Sequence, residues 1–179
     1  MISDEDWASV QHRLGETSGT KPVPPERYTE WADIFPPLLF RLWKTYGFAG
    51  FHDGRYWLCD PVEWQPVVDA WTANLDLVMG TDTWHAIVRD AFGEMTLWGE
   101  RTGQSLTIEP VYGQIYPTAD SIEMMETEWE RDLMIEEAVG GPAILETDLL
   151  GSDEKRLFVR ALKKHGPVGP DTMYTFVPA

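Results

Sequence analysis

Asp53-Gly54 lies between two short apolar runs, residues 48–51 and 55–59, and an Asp-Gly pair in that setting predicts a tight β-hairpin. The segments on either side read as helices. Pro36 and Pro37 sit where a helix accepts proline, in its first turn, and Leu38, Leu39, Leu42, Trp43 and Tyr46 follow on one face before Gly47 offers a C-terminal cap. After the hairpin, Asp60-Pro61 predicts an N-cap and a first helical residue. Trp64, Val67, Val68 and Trp71 then recur at helical spacing, with Pro66 close enough to the start to be tolerated.

From Trp84 the pattern changes to short runs separated by glycine. Residues 85–92, 95–98, 105–108 and 111–116 predict an antiparallel meander of three or four strands, with a turn at 99–103 and a stop at Pro117. Asp120 and Glu123 have capping-box spacing, and Ile122, Met125, Trp129 and Leu133 form a stripe that predicts a third helix to about Ala138. Beyond Gly140-Gly141-Pro142, Ser152 is positioned to cap a last helix. Asp153 and Glu154 stand in its first turn, Leu157, Phe158, Ala161 and Leu162 face the core, and Lys163 and Lys164 precede the stop at Gly166-Pro167. Residues 173–177 read as a closing strand. Helices and strands are segregated rather than alternating, so the expected fold class is α+β: an antiparallel sheet, hairpin plus meander, packed with about four helices. The expected divisions are an acidic arm and Pro-rich loop over 1–26, a first part over 27–80 and a second over 81–179, packed as one compact unit.

Charge narrows the function. Thirty acidic against fourteen basic side chains give a formal net charge of −16, which would repel nucleic acid and anionic membranes alike. No segment approaches the roughly 20 apolar residues of a membrane span. The acidic start lacks the features of a signal peptide, and Cys59, alone, cannot form an internal disulfide; both fit a cytoplasmic protein.

Catalytic constellations fare poorly. His52-Asp53 would be a metal-binding pair only with further ligands on helices, and here it occupies a turn. Cys59 could serve as a nucleophile with His52, His85 or His165 as base, but it sits in an aromatic strand with no cationic neighbour in sequence. The four histidines show no zinc spacing, Asp153-Glu154-Lys155 lies at a helix start rather than in a nuclease strand, and the loop 99–103 lacks the ending of a phosphate-binding loop. Neither catalytic residues nor a cofactor or metal site are expected. Most of the nine tryptophans recur at core spacing.

The acids themselves are concentrated. Asp120, Glu123, Glu126, Glu128, Glu130, Asp132, Glu136, Glu137, Glu146, Asp148, Asp153 and Glu154 face Arg131 alone within one short stretch. On a continuous helix Glu123, Glu126, Glu130 and Glu137 would share an arc of about 60°. Such an arc is either a solvated face or a surface for a basic partner, for which a nuclease surface is the natural candidate. The candidate contact residues are Glu123, Glu126, Glu130, Asp132, Glu136 and Glu137. The basic cluster that follows, Lys155, Arg156, Arg160, Lys163 and Lys164, could pair with them and mute the field.

Residues 37–48, with Phe51-His52-Asp53-Gly54-Arg55-Tyr56-Trp57 and Asp60-Pro61, resemble the signature of the GAD-like domain. Ala91-Phe92-Gly93, Leu97-Trp98-Gly99, Leu157-Phe158-Val159-Arg160-Ala161 and the stretch from His165-Gly166-Pro167-Val168 to Val177-Pro178-Ala179 resemble the C-terminal domain of immunity proteins against type VI secretion DNase toxins. The resemblance implies a cytoplasmic immunity protein that binds a cognate toxin and blocks its nuclease, with no catalytic residues of its own. It also implies that Trp43, Tyr46, Gly47, Asp53, Gly54 and Trp57 determine the fold. The alternative is a small ligand-binding domain or enzyme using the aromatic hairpin and Cys59.

Overall fold

The expected hairpin forms, with β2 (Phe48–Phe51) paired antiparallel to β3 (Tyr56–Leu58) in a computed structural model that describes residues 2–140 and 149–176. Its turn places His52, Asp53 and Gly54 at positive φ, and the Gly54 and Arg55 amides donate to the Phe51 carbonyl. A Cβ on Gly54 would lie 2.6 Å from the Val168 carbonyl oxygen, so glycine is required there on both counts.

Around the hairpin a single open sheet of seven antiparallel strands runs in chain order. It comprises β1 (Thr17–Lys21), β2, β3, β4 (Trp84–Asp90), β5 (Met95–Gly99), β6 (Gly103–Glu109) and β7 (Gln114–Pro117), with β1 and β7 at its edges. The sheet therefore crosses residue 80 without interruption, through the β3–β4 pair.

The helices are α1 (Asp4–Leu14), α2 (Arg27–Glu30), α3 (Pro37–Tyr46), α4 (Pro61–Thr72), α5 (Glu128–Gly140) and α6 (Leu157–His165), with a 3-10 segment at Ala119–Met125. Side chains alternate along the strands, and the core divides accordingly. One cluster joins Val10, Leu39, Trp43, Ile135 and Val139 of α1, α3 and α5 to Phe51, Leu58 and Trp98. Another joins Val68 and Trp71 of α4 to Met95, Leu97 and Leu106, and a smaller third holds Phe158 of α6 against Phe92 and Val168.

Several expectations need correction. The stretch 1–26, read as an arm and loop, holds α1 and β1. Helix α1 has a reciprocal Ser3/Asp6 capping box and buries Trp7, Val10 and Leu14. The third helix is divided at Glu126-Thr127: a 3-10 segment comes first, and α5 starts with its own Thr127/Glu130 box, in which each side chain accepts from the other's amide. The change of helix type shifts the phase, so the buried face of α5 is Met134, Ile135, Ala138 and Val139, whereas Trp129 is 53% exposed. Ser152 does not cap α6. Residues 151–154 form a turn with Glu154 at φ 58, closed by the Leu150–Arg156 bridge, and α6 begins at Leu157. Among the described residues 173–176 there is no strand. The segment instead donates from the Tyr174 amide to the Ala91 carbonyl and stacks Phe176 on Phe92. Glu146, Asp148 and Val177-Pro178-Ala179 lie outside the described residues.

Candidate protein-interaction surface

Cys59, His52 and His85 are held in structural roles, whereas His165 is exposed at the end of α6. Cys59 is 1% exposed, and burial pushes its thiol up to about 12, against the opposing charge of Arg89, so it carries no thiolate at neutral pH. His52 Nε2 contacts the Arg13 carbonyl oxygen at 2.9 Å, which ties the hairpin turn to the end of α1. His85 is buried, with Nδ1 2.9 Å from the Gln65 side-chain oxygen, Nε2 3.0 Å from Glu100, and its ring against Trp31 and Phe35. Among the described residues no group of three or more His, Cys, Asp or Glu side chains is placed to hold a metal ion, and no helix is long and apolar enough to cross a membrane.

At the β4–β5 turn, burial raises the carboxyl groups of Asp90 and Glu94 above the usual carboxylate range. The Phe92 and Glu94 amides both donate to Asp90 Oδ1 at 2.8 Å. Half-buried Glu94 is pushed up to about 7, first by desolvation and then by the charges of Asp90 and Glu109, with Arg55 opposing. Because its folded value lies above the ordinary 4.5, its contribution is present at low pH and is lost as pH rises through about 7. Glu94→Gln is therefore expected to raise stability by about 1–2 kcal/mol at pH 8, allowing for solvent screening, and to change it little at pH 4. Urea titrations at the two pH values check this; an equal effect at both would refute it.

The six candidate contact residues do not form one surface. Glu123 and Glu126 are exposed on and just after the 3-10 segment, and Glu137 is exposed on α5. Glu130 is half-buried and closes the capping box, and half-buried Glu136 pairs with Arg13 of α1. Asp132 is fully buried: its Oδ2 accepts from the Ile2 amide at 3.1 Å and its Oδ1 from the Leu38 amide at 2.7 Å. That removes Asp132 from any contact surface, and it joins α5 to the starts of α1 and α3 instead.

Of the basic cluster, Lys155 and Arg160 pair locally with Asp153. Among the described residues Glu123, Glu126 and Glu137 have no ion-pair partner. The outward face of α5 also carries Trp129 and Leu133, which the expected helix phase places in the core. At about 100° per residue, Glu136, Trp129, Leu133, Glu137 and Glu130 span an arc of about 120° opposite the buried stripe.

Two concave regions flank this face and the far end of the sheet. A groove of about 630 Å³ lies between α2, α3 and the start of α5, lined by Tyr28, Phe40, Arg41, Lys44, Met125 and Glu126. Its cations are engaged, Arg41 with Asp4 and the Trp7 ring and Lys44 over the Tyr28 ring. A second cleft, about 650 Å³, lies between α6 and the segment after it, lined by Phe92, Arg160, Lys164, His165, Tyr174 and Phe176.

A search of curated proteins found no match. Among solved structures, the crystal structure of Atu4351 from Agrobacterium tumefaciens is similar. Its TM-score is 0.76 at 17% sequence identity, over 92% of this chain and 72% of that chain, which shows a shared fold. The family model of the GAD-like domain matches residues 6–112, from α1 to just past β6 and more than half of the chain, which therefore belongs to the GAD-like domain family.

Proposed function

We propose that the chain is a cytoplasmic immunity protein that binds a cognate type VI secretion toxin, a DNase, and neutralises it by covering its active or DNA-binding surface. The observation that carries this reading is the acidic surface around α5, where Glu123, Glu126 and Glu137 stand exposed and unpaired among the described residues. A nuclease must present cations to phosphate, and an inhibitor with complementary charge is steered to that same surface. Membership of the GAD-like family supports the reading, as does the resemblance of residues 91–93, 97–99, 157–161 and 165–179 to immunity domains. The chain acts by occupancy, not catalysis, and the burial of Cys59 gives the enzymatic alternative no comparable support.

The reading implies a toxin gene beside this one, and the test is co-expression with that gene's product. Cells producing both are expected to survive with intact DNA, and cells producing the toxin alone to die. Equal killing with and without this protein would overturn the proposal.

A further inference from the structure

Eight of the nine tryptophans are buried or half-buried, and the ninth, Trp129, stands 53% exposed on the most acidic helix. Its own helix cannot bury it. The α5 stripe against the sheet is completed by Met134, Ile135, Ala138 and Val139, roughly on the far side from Trp129. Leu133, half-buried, follows one turn along the outward face, and Glu137 one turn further, with Glu130 beside them. The result is a short apolar strip with carboxylates at its end and flank, and Glu126 just before the helix.

A large aromatic on an exposed face, ringed by polar groups, is the arrangement of a binding hot spot. The helix bearing it is fixed in place. Asp132 holds it to the Ile2 and Leu38 amides and Glu136 holds it to Arg13, so little ordering is left to be done on binding.

We propose that this face of α5 is the docking face for a cationic protein surface with an apolar recess, in which Trp129 is the anchor, Leu133 its neighbour, and Glu126 and Glu137 the rim. The inference rests on the immunity reading above, and the partner it fits is the toxin of that reading. Charge chooses among the possible occupants. Nucleic acid is excluded by the carboxylates, and a second copy of this chain would bring its own −16 against them. The neighbouring groove is a poorer candidate, because its lysine and arginine are already engaged with Tyr28, Trp7 and Asp4.

The test uses the full chain and a catalytically inactive form of the toxin from the adjacent gene. Trp129→Ala with Leu133→Ala is expected to speed dissociation by about 100-fold while leaving association nearly unchanged, because hot-spot losses fall on the off-rate. Glu126→Lys with Glu137→Lys is expected to slow association by about 10-fold at low salt, an effect that fades as salt screens it. All four positions are outside the buried core, and an unchanged circular dichroism melt confirms that each variant is folded.

Wild-type rates for both variants, alongside a tight wild-type complex, would overturn this assignment and leave the immunity reading standing. No complex with the wild-type chain would overturn both. Self-association of the wild type that vanishes in the Trp129→Ala variant would also overturn it, by showing that the face binds a second copy.

Discussion

Asp132→Ala is expected to destabilise the fold by about 3–4 kcal/mol, a large fraction of the stability of a domain this size. Helix α3 begins unusually bare. Its N-cap is Pro36, which offers no side-chain acceptor, and Pro37 follows with no amide hydrogen, so Leu38 carries the first unsatisfied donor. Asp132 supplies from another helix the acceptor that the local sequence lacks, and it places a negative charge at the positive end of α3. The same carboxylate accepts from Ile2 at the start of the chain. Alanine would leave both amides buried and unpaired, each costing about 1–3 kcal/mol. Asparagine keeps one carbonyl acceptor and is expected to lose about half as much. Chemical denaturation of the two variants, with exposed Glu137→Ala as a control, checks the assignment. An Asp132→Ala loss no larger than that of the control would show the carboxylate to be solvated after all.

Asp132 also shows what the local sequence does not specify. Grouped by charge with Glu136 and Glu137, it passed for part of a surface, because nothing local distinguishes a solvated aspartate from one that caps a helix 94 residues away in the chain. Elements specified by their own turn and cap residues were legible: the hairpin at Asp53-Gly54, α3 behind its prolines, α4 behind Asp60, and the meander. Helix α1 falls in the stretch expected to be an arm, although its signal is local: Ser3 and Asp6 form a capping box ahead of Trp7, Val10 and Leu14. Strand β1, by contrast, has the sequence Thr-Ser-Gly-Thr-Lys, without apolar alternation. It pairs because β2 is buried throughout and needs a neighbour on that side.

The rotation of α5 was undecidable locally for a different reason. Asp120/Glu123 and Thr127/Glu130 both have capping spacing, and each choice puts a different apolar stripe on the sheet. The packing of Met134, Ile135 and Val139 against α1 and α3 selects the second. The consequence reaches the candidate site, because the same phase that buries Asp132 turns Trp129 outward. Acidic charge alone groups these residues together, and only the tertiary packing separates buried Asp132 and paired Glu136 from exposed Glu126 and Glu137.

Arg89→Ala is expected to cost a further comparable amount, about 3–5 kcal/mol, and to release the C-terminal segment from the sheet. Arg89 is 1% exposed, opposite Trp57 in the β3–β4 pair, and burial lowers its pKa. Backbone carbonyls take its terminal nitrogens, Nη2 donating to Gly169 and Pro170 at 2.7 and 2.9 Å and Nη1 to Asp90 at 3.2 Å, while buried Nε has no hydrogen-bond partner among the described residues and the guanidinium lies over the rings of Trp57 and Trp64. A buried cation held this way is costly to desolvate, but truncating it leaves buried carbonyls unpaired and a cavity between two indoles. Arg89→Met fills the space without restoring the donors, so it is expected to recover about 1–2 kcal/mol of the loss. Both substitutions free Gly169 and Pro170, and both are expected to speed hydrogen exchange at the Tyr174 amide, which donates to Ala91 two residues along β4's continuation. The exchange measurement separates a clamp from mere filling. If Arg89→Met restores stability in full and Tyr174 stays as protected as in the wild type, the guanidinium only fills space, and the C-terminal segment is held by the Tyr174–Ala91 hydrogen bond, the Lys21–Asp171 ion pair and its aromatic contacts.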